Sequence, residues 1–143
     1  MTDFIKKYFH DTVDNVNVFN SPATDGQILE LENQLQIILP DDYKEFLKQT
    51  NGFEGLVNEF VVDFESTDKI YQSTQDTCAQ FFPWAVYIGT DGGGEMFVID
   101  KRQNPYQFGL LPNIADEKDF LPLGDTFEKF IQRLYNDTAF DKI

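Results

Sequence analysis

Between Asp25 and Leu35 the apolar residues Ile28, Leu31 and Leu35 recur on one helical face, and Thr24 followed three positions later by Gln27 makes a capping-box start. This spacing predicts a helix over about 25–36. Leu39-Pro40 interrupts it, since proline cannot donate to a continuing helix, and Asp41 and Asp42 then put carboxylates at the positive end of a second helix dipole. Tyr43, Phe46 and Leu47 form the inward stripe of that helix, predicted over about 41–50. Asn51-Gly52 supplies residues that tolerate the left-handed backbone closing it.

From Gly55 the period changes to two. Leu56, Asn58, Phe60, Val62 and Phe64 alternate with Val57, Glu59, Val61 and Asp63, the pattern of one strand covered on one face. Ser66 to Gln80 is rich in Ser, Thr, Gln and Asp and reads as a short strand or helix with loops. Ala85–Gly89 and Glu95–Asp100 are apolar on both faces and predict a central hairpin closed by Gly92, Gly93 and Gly94. Gly93 is expected to resist a side chain if its φ is positive. Tyr106, Phe108 and Leu110 suggest a further strand, and Phe127, Phe130, Ile131 and Leu134 mark a closing helix over about 125–136. The fold expected is α+β: one domain over residues 1–143, with a mixed, mostly antiparallel sheet packed against N-terminal and C-terminal helices.

Composition adds the character of the surface. The 143 residues include 15 Phe and are 41% hydrophobic, enough for a sizeable core. Eleven Lys and Arg against 25 Asp and Glu leave a net charge of -14, which repels phosphates and anionic lipid and argues against nucleic acid or a membrane as partner. From Gln49 to Asp100 there are nine acidic residues and one basic residue, Lys69. Such a stretch is either a solvated face or a platform for a basic protein, with Glu54, Glu59, Asp63, Glu65, Asp91 and Glu95 as its carboxylates. Phe82 and Trp84 lie inside it, in the run Phe81-Phe82-Pro83-Trp84, and are either core or an apolar anchor ringed by charge.

Candidate chemistry is sparse. Cys78 has no partner cysteine and reads as a buried thiol beside Phe81 and Phe82. His10 is placed in solvent, and one His with one Cys falls short of a zinc site. The triple glycine is followed by Glu95 and a strand rather than by Gly-Lys-Ser/Thr and a helix, so it is no phosphate loop. Asp91, Glu95 and Asp100 lack the alternate spacing of a calcium loop. No Gly-x-Ser-x-Gly elbow occurs, although paired carboxylates of the kind that hydrolyse glycosides are possible in any chain this acidic. Neither a cofactor nor a metal is expected. The N-terminus has no uninterrupted apolar stretch with a cleavage site, so a cytoplasmic protein is expected.

Three blocks of the sequence resemble the SUKH superfamily, of Smi/Knr type. The first runs from Leu31-Glu32 and Leu35 through Leu39-Pro40-Asp41-Asp42-Tyr43-Lys44-Glu45-Phe46-Leu47 to Asn51-Gly52. The second is Ile88-Gly89-Thr90-Asp91 through Gly94-Glu95-Met96-Phe97-Val98-Ile99-Asp100, and the third is Pro122-Leu123-Gly124 with Phe127 and Phe130. Residues 54–84 match no block. The resemblance implies a mixed sheet beside helices, no catalytic residue and, as in bacterial members, neutralisation of a toxin domain by direct binding, here a basic, nuclease-type one. The fungal members imply an alternative, a regulatory scaffold in cell-wall glucan synthesis. A carbohydrate-active enzyme using paired carboxylates is the third reading.

Overall fold

The structure, a computed structural model, describes residues 3–9, 17–114, 116–136 and 138–139. The expected capping box is present: Thr24 Oγ1 accepts from Gln27 N at 3.1 Å, and Gln27 Oε1 from Thr24 N at 2.9 Å. It starts helix α2, Asp25–Leu35; a shorter helix, α1, Asp3–Tyr8, precedes it. Pro40 then opens α3, Asp41–Gln49, and the closing helix α5 spans Phe127–Tyr135.

Among the described residues seven strands form one meander in sequence order: β1 (Val18–Phe19), β2 (Phe53–Val57), β3 (Phe60–Phe64), β4 (Ala85–Thr90), β5 (Glu95–Asp100), β6 (Gln107–Pro112) and β7 (Leu121–Gly124). Every described pairing is antiparallel, so the sheet is simpler than the mixed one expected. The architecture is α+β.

The alternating run from Leu56 to Phe64 proves to be a hairpin. Asn58 takes φ +56, a left-handed conformation that Asn tolerates, and the chain reverses so that Leu56 pairs with Val61 and Val57 with Phe60. The reversal puts Val57, Val62 and Phe64 against the helices, while Leu56 turns to the other face. The polar stretch after Phe64 holds helix α4, Thr67–Thr77, whose buried positions Thr67, Ile70 and Thr74 repeat at helical spacing. Where β3 stops, α4 lies beside β4, and Thr74 Oγ1 accepts from Tyr87 N at 3.0 Å.

On one face of the sheet α1, α2, α3 and α5 enclose an aromatic core. Phe127 is its hub, with the rings of Tyr43, Phe46, Phe64 and Phe108 centred 4.8–5.6 Å away. On the other face Cys78, Phe82, Ala85, Met96, Val98 and Leu111 form a smaller cluster over β4–β6, flanked by Trp84, Tyr87 and Phe120. Cys78 is fully buried, as its sequence context predicts. His10 lies outside the described residues.

In the β4–β5 turn the strained glycines are Gly92, φ +75, and Gly94, φ +124. Gly93 does not share that conformation, and a Cβ there would come no closer than 3.7 Å, to Asp91 Oδ1. The expectation of strain therefore moves from Gly93 to its two neighbours.

Candidate functional site

Most residues of the three sequence blocks serve the fold. Asp42, on α3, reaches the start of α5, where its Oδ1 accepts from Phe127 N at 3.1 Å and its Oδ2 from Glu128 N at 2.9 Å. It thereby satisfies N–H groups that no residue within α5 can reach. Glu32 is 8% exposed; its Oε2 accepts from Leu39 N at 2.8 Å and sits 3.4 Å from Lys44 Nζ, tying α2 to the turn into α3. Asn51 Oδ1 accepts from Thr67 N at 2.8 Å, anchoring the start of α4. Gly52 has φ +94, and a Cβ there would meet Phe64 O at 2.7 Å. These groups are committed to structure.

The sheet face away from the helices has two halves. Over β4–β6 it is covered by the Cys78–Trp84 segment and Phe120. Phe82 is 6% exposed and belongs to this cover, while Phe81 beside it is 71% exposed. Trp84 is half-buried between Phe82 and Phe120, with the Arg102 guanidinium 3.8 Å from its ring. Arg102 also holds buried Asp100 through two side-chain bonds, of 3.0 and 2.9 Å. Over β1–β3 no described residue covers the face. Glu54 and Asp63 stand directly opposite each other across the β2–β3 ladder, and both are exposed. They line a cleft of about 270 Å³ with Val18, Glu65, Ser66 and Lys69.

The charge there is costly. Burial pushes the Glu65 carboxyl above its ordinary range, and Asp63 and Asp68 push it further, against the opposing pull of Lys69. The Tyr87 hydroxyl is pushed up to about 12 by burial and by the charges of Glu65, Asp63 and Cys78, outweighing its hydrogen bond to Thr90. Three of the sequence-predicted carboxylates, Glu54, Asp63 and Glu65, are thus brought together.

The others lie elsewhere. Glu59 is exposed in the β2–β3 turn. Asp91 closes the β4–β5 turn, its Oδ1 accepting from Gly93 N at 2.8 Å and Glu95 N at 3.1 Å. Glu95 is half-buried, its Oε2 is without a hydrogen-bond partner, and burial together with Asp91 raises its carboxyl above the ordinary range. Asp100 sits at the far end of β5 from Glu95, so these three acids do not converge. Among the described residues no group of three or more His, Cys, Asp or Glu is placed to hold a metal ion, and no helix is long and apolar enough to cross a membrane. Sequence reasoning missed Val18 and Val61, 52% and 55% exposed, as apolar members of the uncovered face. The pairing of β2 with β3 was the missing information.

Comparison with known proteins bears on all of this. The chain is 32% identical over 120 residues to the uncharacterized protein YnaB of Bacillus subtilis (strain 168), covering 81% of this chain and 78% of that protein. A family model matches residues 22–133, spanning all three blocks as well as the uncovered β2–β3 face: the chain belongs to the SMI1 / KNR4 family (SUKH-1).

Proposed function

We propose that the protein is a non-catalytic, partner-binding immunity protein that neutralises a basic, nuclease-type toxin domain by direct binding. Residues 1–143 work as one SUKH-like domain, in the cytoplasm, without cofactor. The observation that carries this reading is the concentration of unneutralised acid in the part of the chain that the family blocks do not explain. Glu54, Asp63 and Glu65 have no ion pair among the described residues. Toxins that cut nucleic acid need a basic groove for its phosphates, so an acidic protein associates quickly with one and covers that groove. Glu54, Glu59, Asp63, Glu65, Asp91 and Glu95 supply the field, and Trp84, supported from beneath by Phe82, supplies an apolar anchor.

The test is co-purification from the native cell, followed by growth rescue against whatever basic domain is recovered. Rescue by the wild type is expected, with association slowing as salt rises and slowing further in a Glu59→Lys/Asp63→Lys double variant. Recovery of cell-wall synthesis proteins without any toxin would favour the regulatory-scaffold reading that the family also holds. Turnover of a glycan by the purified protein would replace both readings with an enzyme.

A further inference from the structure

We infer that the docking surface is the uncovered half of the second sheet face, formed by β1, β2 and β3, and that it takes the lysine- and arginine-rich surface of a partner protein. The inference rests on the toxin-neutralising reading and narrows its scattered acidic residues to one face.

Register carries the argument first. Residues paired across a ladder share a face, and like charges directly opposite destabilise it. Among the described ladder pairs, Glu54 with Asp63 is the one in which two like charges meet. Some carboxylates have cations supplied by the chain itself, Glu32 and Asp41 from Lys44, Asp25 and Glu45 from Lys48, and Asp125 from Lys129; Glu59, Asp68 and Asp76 have no ion pair among the described residues either, but none of them faces a second acid across a ladder. Glu54 and Asp63 are left for a cation from outside.

Covering gives a second, separate observation. The chain spends its own Cys78–Trp84 segment and Phe120 on hiding the apolar face of β4–β6, but no described residue does the same over β1–β3. Val18, opposite Glu54, and Val61, two residues before Asp63, are each more than half exposed on that face. Apolar side chains set among uncompensated charge have the composition of an interface, and the charge is complementary only to a basic partner. The groove between α2 and α3 is a poorer candidate, because its lysines, Lys44 and Lys48, are already paired with Glu32, Asp41, Asp25 and Glu45, whereas Lys69 in the β1–β3 cleft makes no ion pair with Glu54 or Asp63 among the described residues.

A short oligo-arginine peptide serves as probe, titrated by NMR into isotope-labelled full-length protein near physiological salt. Amide shifts are expected at Glu54, Leu56, Val61 and Asp63; shifts centred on the turns at Glu59 and Gly92–Gly94 instead would overturn the assignment. The Glu54→Gln/Asp63→Asn pair should weaken peptide binding about tenfold. It should also raise Tm by about 2 °C at low salt, because it removes a repulsive cross-strand pair. A Glu30→Gln/Asp76→Asn pair, on the exposed surfaces of α2 and α4, makes the same change in net charge elsewhere and should leave both readouts near wild type. Equal losses of binding in the two pairs would mean that net charge alone governs binding, and the surface would fall. Self-association abolished by Glu54→Gln/Asp63→Asn would also overturn the proposal, by giving the face to a second copy of the chain. The two readings fail separately: rescue from a toxin that survives Glu54→Gln/Asp63→Asn removes this surface and keeps the immunity role, whereas peptide docking here without any recovered toxin keeps the surface and removes that role.

Discussion

Under the helices the sheet is packed ring against ring, whereas its opposite face is apolar only where the Cys78–Trp84 segment and Phe120 cover it and is charged where no described residue does. On the first face nearly every side chain is fixed by several neighbours, so a change of residue is felt throughout the core. On the uncovered part of the second, a side chain has few neighbours and packing constrains it little. The family blocks place Phe46, Phe97, Phe127 and Phe130 on the first face, while the acids of β2 and β3 belong to the second.

The contrast is broken most directly at Phe127. Replacing it by Ala should cost about 3–5 kcal/mol, the range for emptying a buried phenylalanine site. Val61→Ser, on the uncovered face, should stay within about 0.5 kcal/mol of wild type. Urea denaturation of the two variants measures the difference, and similar losses would mean that the open face is not open.

Next in size is Asp42→Ala. The variant leaves Phe127 N and Glu128 N without their acceptor and should lose about 1–2 kcal/mol in the same assay, as for loss of a helix cap. Asp42→Asn keeps one acceptor oxygen and should recover part of that loss.

At the β4–β5 turn, Gly94→Ala should cost about 1–2 kcal/mol because φ +124 is strained for any residue with a Cβ. Gly93→Ala should be close to neutral, since the site has room and no positive φ. Thermal melts that rank Gly93→Ala as the worse variant would contradict the turn geometry.

The smallest effect belongs to the acids themselves. The carboxyl of Glu65 is raised above its ordinary 4.5, so between that value and the raised one the folded protein binds more protons than the unfolded chain. Stability therefore rises as pH falls through this window and is lower above it. Glu65→Gln removes the group and should flatten that slope, as measured by Tm at a series of pH values; an unchanged slope would show that Glu65 is not desolvated.

Much of the fold was legible because the signals are local. Thr24 with Gln27, Pro40, and the apolar repeats of α2, α3 and α5 are each set by residues within a turn or two of one another, where helix geometry alone decides who meets whom. Helix α4 was less legible, since Thr67 and Thr74 take core positions usually held by larger apolar residues. The α1 helix is only 6 residues long, with little room for a period to show. Asn58 looked like one more position on the covered face of a single strand, because a two-residue reversal leaves the alternation on each side intact.

The sequence by itself determined the α+β class and the acidity. Only the tertiary structure decided which carboxylates meet. It set Glu54 opposite Asp63, committed Asp91 to a turn and Asp100 to Arg102, and put Phe82 under Trp84 rather than in solvent. The physical reason is range: capping and periodicity act between near neighbours in the chain, whereas a shared sheet face is created by strand register, which depends on where the chain turns back on itself.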